Sequence, residues 1–149
     1  MTSARPKVLF LCTHNAARSQ MAEGLLRDLS RGTIEVYSAG TDPTRVHPLA
    51  VQALREFGID ISGQRSKHVD EFAEEHFNFV ITLCDSAREI CPVLPGDPER
   101  IHWSFPAPGA VVGTEQERLR AFMQTAQELA TRLRPFLIVA QRGAERSPA

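Results

Sequence analysis

A chain of 149 residues with 17 lysines and arginines against 18 aspartates and glutamates, a net charge of -1, suits one domain with a good core and leaves little room for a second. The balance of charge excludes a broad basic surface for nucleic acid, leaving only local patches open, and no apolar run approaches the roughly 20 residues that cross a bilayer. The apolar stretch near the N-terminus is short and lacks a small-residue cleavage pattern, so a cytoplasmic location is expected. Three cysteines, an odd number, make no structural disulfide framework and in a reducing cytosol point to reactive roles.

In chain order, Val8 to Leu11 read as a buried parallel strand. A helical pattern begins at Ser19 and runs through Met21, Ala22, Leu25, Leu26 and Leu29. Ile34 to Ser38 alternate as a strand closed by Ala39-Gly40. Pro48 suits the first turn of a helix reaching about Phe57, where Gly58 supplies the stop. Val69 to Glu74 form a short helix and Phe77 to Leu83 a second buried strand. Ile101 to Trp103 make a brief fourth strand. Glu115 to about Leu133 carry a long amphipathic helix with Leu119, Phe122, Met123, Ala126, Leu129 and Leu133 on one stripe, and a flexible tail is expected from Gln141. This alternation predicts a single α/β domain with a central four-stranded parallel sheet and helices on both faces. Ligands of such folds gather at the carboxyl ends of the strands.

Cys12 lies at that edge. The chain from Lys7 to Ser19 places it at the end of a strand, with Arg18 six positions later where a helix starts. The turn between them, Thr13, His14, Asn15, Ala16 and Ala17, brings backbone N–H groups to one point, and the helix adds its positive end, so a tetrahedral anion is favoured there. Arg18 supplies a planar two-pronged donor. The same positive surroundings favour the thiolate of Cys12, the form that attacks. A cysteine ending a strand is often plain core; the strand before and the helix after set this one apart.

The segment Thr82-Leu-Cys-Asp-Ser-Ala-Arg-Glu-Ile-Cys-Pro carries a second signal. Cys84 also follows an apolar strand and so belongs to the same sheet edge, with Cys91 seven residues on. A helix over Asp85 to Ile90 would hold the two alpha carbons about 10 Å apart, beyond the about 7 Å that a disulfide tolerates. They can join only if the segment unwinds or loops out, for which Pro92 and Pro95-Gly96 make it a candidate; the alternative is two ordinary small core residues.

Together these features resemble the thioredoxin-coupled arsenate reductases, which share the fold of the low-molecular-weight protein tyrosine phosphatases. The resemblance runs from about Lys7 to Leu137. It is carried by Cys12-Thr-His-Asn-Ala-Ala-Arg-Ser-Gln-Met-Ala-Glu-Gly, Tyr37-Ser-Ala-Gly, Gly58-Ile-Asp-Ile-Ser, Val80-Ile-Thr-Leu-Cys-Asp, Cys91-Pro and His102-Trp103. It implies a relay: Cys12 attacks arsenate, Cys84 then attacks the Cys12 sulfur as arsenite leaves, and Cys91 resolves the Cys12–Cys84 disulfide into Cys84–Cys91, which thioredoxin reduces. No cofactor or metal is expected, phosphate or sulfate would mimic the substrate, and the protein would act as a monomer without nucleic acid or membrane.

The resemblance also implies supporting roles. Asn15 would hold the loop and Ser19 would donate to the Cys12 sulfur, the alternatives being a turn asparagine and a helix-capping serine. Asn15, Glu23 and Ser38 match positions that build a potassium site in some members, but Arg65 and Lys67 stand where those carry threonine and aspartate. A lysine ammonium could replace the ion, so no potassium requirement is expected. Where relatives carry a general-acid aspartate before a proline, this chain has Ala107; the role is empty unless water, buffer or an acid such as Asp97 or Glu115 reaches in, and otherwise the enzyme is slower, protonation of arsenate itself suffices, or the residue was altered. His14, His47, His68, His76 and His102 show no metal-ligand spacing, and Trp103 is expected as a partly buried anchor near the loop mouth. The competing readings are a phosphatase of this fold and a non-enzymatic oxyanion-binding or redox-sensing protein.

Overall fold

The computed structural model describes residues 5–83 and 98–146. Strand β1 (Lys7–Cys12), helix α1 (Arg18–Ser30), strand β2 (Glu35–Gly40), helix α2 (Pro48–Glu56), strands β3 (Phe79–Thr82) and β4 (Glu99–His102) and helix α3 (Glu115–Arg146) follow in order, with short 3-10 turns at Val69–Phe72 and Pro108–Ala110. All strands are parallel in the order β2-β1-β3-β4. The connection out of β1 leads to one side and the one out of β2 returns to the other. The order therefore reverses at the carboxyl ends of β1 and β3, where an open sheet leaves its ligand crevice.

Alternation along β1 explains both layers. Val8 and Phe10 face α1, α2 and α3, joining Met21, Leu26, Leu54, Phe122 and Leu129 in the main core. Leu9 and Leu11 face the other way and pack with Val69, Phe77 and Val80, with Tyr37 and Phe72 against them. The short Val69–Phe72 turn thus covers the face that the three long helices leave. Tyr37, Phe72 and Phe77 meet edge to face there, with centroids 5.4 to 5.8 Å apart, the geometry that ring quadrupoles favour.

Several boundaries differ from those read in the sequence. The fourth strand begins at Glu99, because an edge strand with one solvated face tolerates polar residues such as Glu99 and Arg100. Helix α3 continues past Leu133 to Arg146 although Pro135 lies inside it, and Gln141, where a flexible tail was expected, donates from Nε2 to Thr33 Oγ1 at 3.0 Å. An internal proline costs about 3 kcal/mol. Leu133, Phe136 and Ala140 remain buried on one stripe across it, and large apolar side chains return about 1.5–3 kcal/mol each. Trp103 is more buried than an anchor at a mouth, lying edge-on to Phe136 at 5.8 Å within the main core. Helix α2 ends as expected, with Gly58 at φ +79°.

Candidate active site: the loop between β1 and α1

The loop between Cys12 and Arg18 is held by its carbonyl groups. Thr13 O accepts from Asp42 N–H at 2.8 Å, His14 O from Thr44 N–H at 3.2 Å and Ala16 O from His47 N–H at 2.9 Å. Ser66 Oγ also donates to His14 O at 3.0 Å, Gln20 Nε2 to Asn15 O at 3.0 Å, and Met21 N–H to Ala17 O at 2.8 Å. With five successive carbonyls bonded outward, the loop's N–H groups are turned to the inside, which is the nest that binds a tetrahedral anion. Asn15 takes the left-handed conformation that this requires, φ 48°. Asparagine tolerates that region better than most residues, and its side chain is fully buried and bonded.

The hydroxyl and amide groups beneath the loop have one consistent set of donors. Ser38 Oγ donates to Glu23 Oε1 at 2.5 Å and accepts from Asn15 Nδ2 at 3.0 Å. Asn15 Nδ2 also donates to Ser19 Oγ at 2.8 Å, while Asn15 Oδ1 accepts from Gln20 Nε2 and Lys67 N–H, each at 3.0 Å. Ser19 has therefore spent a lone pair on Asn15 and keeps its hydrogen for Cys12 Sγ, 2.8 Å away. Cys12 itself is buried and free of any disulfide. Ser19 does not cap α1: the capping position is Ala17, with no side-chain cap.

Arg18 Nη1 donates to Leu83 O at 3.3 Å and to Phe105 O at 2.7 Å. The guanidinium is thereby braced across the ends of β3 and β4, with Nε and Nη2 uncommitted among the described residues. Leu83 N–H in turn donates to Leu11 O at 2.9 Å, so β3 ends beside β1. Cys84, Cys91 and Asp97 lie outside the described residues.

Lys67 is no surface charge. Its side chain is 10 % exposed and Nζ lies 3.8 Å from Glu23 Oε1, donating also to Arg65 O at 3.0 Å. Burial lowers its pKa and the Glu23 carboxylate opposes that. Glu23 is also paired with Arg27 at 2.6 Å. Asn15, Glu23 and Ser38 thus do not fit a potassium site here, since an ammonium already stands at the carboxylate. Among the described residues no cluster of His, Cys, Asp and Glu is placed to hold a metal ion. Ala107 precedes the Pro108–Ala110 turn, and Glu115 opens α3. His68 caps the Val69–Phe72 turn, and His102 Nδ1 pairs with Thr82 Oγ1 at 2.6 Å.

Sequence reading missed the residues that hold the loop from outside: Gly40, Asp42, His47, Ser66 and Gln20. A Cβ at Gly40 would lie 2.5 Å from Thr13 O and 2.8 Å from Cys12 O, so only glycine fits between strand end and loop. Gln20 carried no periodic signal, since it shares the polar side of α1 with Glu23 and Arg27 and is nonetheless fully buried. Nor did His47, because a histidine before a proline reads as loop; it accepts from Leu49 N–H as the cap of α2.

Residues 7–142 match the low molecular weight phosphotyrosine protein phosphatase family. The arsenate reductases of Halalkalibacterium halodurans and Bacillus subtilis are each 40% identical over 129 residues, 87% of this chain and 93% of theirs. Among solved structures, an arsenate reductase in the phosphate binding state superposes with a TM-score of 0.79 at 32% identity, covering 91% of this chain and 98% of its own. A thioredoxin-dependent arsenate reductase of Corynebacterium glutamicum superposes at 0.71 and 29% identity, covering 96% of this chain and 65% of its own.

Proposed function

Since the chain belongs to the low molecular weight phosphotyrosine protein phosphatase family and, within it, to the arsenate reductases, we propose that it reduces arsenate through a relay of Cys12, Cys84 and Cys91 renewed by thioredoxin. Arsenate takes the place of phosphate in the N–H nest, held by Arg18. The Cys12 thiolate attacks arsenic and one oxygen leaves as water after taking up protons, giving a thiol–arsenate adduct. Cys84 attacks the Cys12 sulfur; the pair of the sulfur–arsenic bond passes to arsenic, which departs as arsenite. Cys91 then attacks Cys84, releasing Cys12, and thioredoxin supplies two electrons to the Cys84–Cys91 disulfide.

The observation that carries this reading is the tie of Leu83 to Leu11 beside Arg18. Cys84 is the next residue in the chain, so the segment that carries the second cysteine of the proposed relay leaves from the strand that adjoins β1. A reducing compartment, hence the cytoplasm, suits a relay that runs through thiols.

Mass spectrometric mapping after one arsenate turnover tests the relay. Wild type should carry Cys84–Cys91, and Cys91→Ser should stop at Cys12–Cys84. Arsenite production by Cys84→Ser at the wild-type rate, or thioredoxin-independent turnover, would overturn it. Phosphoester hydrolysis is the second reading, since the same nest accepts a phosphoester, but Ala107 offers no proton to an alkoxide leaving group.

A further inference from the structure

Two arginines, Arg45 and Arg118, gather around His47, whose backbone N–H holds the loop. The segment after β2 clamps the loop through Thr44 N–H on His14 O and His47 N–H on Ala16 O, so Arg45, between these anchors, is kept within two residues of the nest. Helix α3 faces it: the Phe122 and His47 rings lie 4.7 Å apart. Arg118 is one turn earlier on the same helical face. Both guanidinium groups act on the same imidazole, whose pKa is lowered first by burial, then by Arg118 and Arg45. A neutral imidazole leaves the charge here to the two arginines.

Among the described residues neither Arg45 nor Arg118 pairs with a carboxylate. Of the nearby acids, Asp42 lies 3.7 Å from His14, and Glu117 accepts from both the N–H and the hydroxyl of Thr114 at the start of α3.

We infer that Arg45 and Arg118 form a cationic rim that draws the tetrahedral dianion to the Cys12 loop and sets the rate of its capture, without touching the reacting atoms. Charges at the lip of a cleft raise association of an opposite charge by about 10- to 1,000-fold, and their reach at 0.1 M salt is about 10 Å. Arg45 and Arg118 are therefore positioning residues for substrate recruitment. Their contribution is separable from Arg18, whose fork is braced inside the site.

The inference rests on arsenate as substrate, but binding of inorganic phosphate reads it independently. The test compares wild type with Arg45→Gln/Arg118→Gln at low and high ionic strength. The measurements are kcat/KM for arsenate and the phosphate concentration that half-protects Cys12 from iodoacetamide. At low salt both should worsen by about tenfold, the gap should close at high salt, and Arg45→Lys/Arg118→Lys should restore wild-type values. Each single glutamine variant should carry part of the loss, which keeps the test open if the double variant folds poorly. Wild-type behaviour at low salt, a loss that persists at high salt, or failure of lysine to restore would overturn the rim. Failure of the arsenate reading would look different: no arsenate turnover by wild type, with phosphate protection still responding to the rim.

Discussion

Ser19 sets the surroundings of the Cys12 sulfur, because among the described residues its proton has no other acceptor than Cys12 Sγ. Hydrogen bonds to charged groups contribute about 1.5–3 kcal/mol. Ser19→Ala should therefore slow alkylation of Cys12 by iodoacetamide at neutral pH by about ten- to a hundredfold, with the fold unchanged by circular dichroism. Ala107 carries the opposite kind of prediction. Ala107→Asp should raise hydrolysis of p-nitrophenyl phosphate by about a hundredfold, read from the release of nitrophenolate, since on the proposed reading a general acid is what the loop lacks. At this scale the sequence was most informative where residue type and spacing alone mark a position. Cys12 and Arg18 stood out by type and spacing. Ser19 could be read as a cap or as a sulfur partner, and only the directions imposed by Glu23, Ser38 and Asn15 choose between them.

The elements around the loop act as its frame, and the frame was harder to read. Strand β2 ends at Gly40 with no room for a side chain, so Gly40→Ala should displace the Cys12–Thr13 peptide. Protection of Cys12 by phosphate should weaken and stability should fall by about 1–3 kcal/mol in urea titration. Helix α2 begins at a histidine whose ring is a cap acceptor and whose backbone N–H holds the loop. The His47 pKa is depressed in the folded protein, so the native state binds fewer protons there than the unfolded chain, whose value is about 6.5. The associated stability is present above about pH 6.5 and is lost as pH falls toward the folded value. Thermal melts should therefore lose more on going from neutral to mildly acidic pH in wild type than in His47→Asn, which keeps a cap acceptor. Periodicity located every one of these elements, yet it missed ends fixed by tertiary contacts. Pro135 reads as a stop for α3, and burial of Phe136 and Ala140 beyond it carries the helix on.

Over the whole molecule, the alternation of strands and helices was sufficient to anticipate the parallel sheet and the edge at which Cys12 emerges. It could not show that, among the described residues, the three long helices share one face while aromatic side chains and the Val69–Phe72 turn cover the other, because alternation within β1 reports two buried faces and not what covers them. Long-range charge placement was equally hidden: Lys67 reaches Glu23 from a distant loop. Its ammonium supplies the cation at that carboxylate, so replacing sodium chloride with potassium chloride at equal ionic strength should leave melting temperature and arsenate turnover unchanged. Lys67→Ala should lower the melting temperature in either salt, because it strips a partner from a buried carboxylate.

The outward bonding of the loop carbonyls has a consequence for selectivity. A receptor stiffened before its guest arrives reads outline and charge, and phosphate and arsenate are near twins in both. Such a cradle is a poor sieve, so most visits in a phosphate-rich milieu are unproductive occupancy. Discrimination then falls to the element at the centre of the anion: arsenic accepts an electron pair from sulfur and leaves reduced, whereas phosphorus does not and departs as it came. On this view the fidelity of the protein resides in redox chemistry downstream of docking, and its throughput in how rapidly the wrong guest is let go.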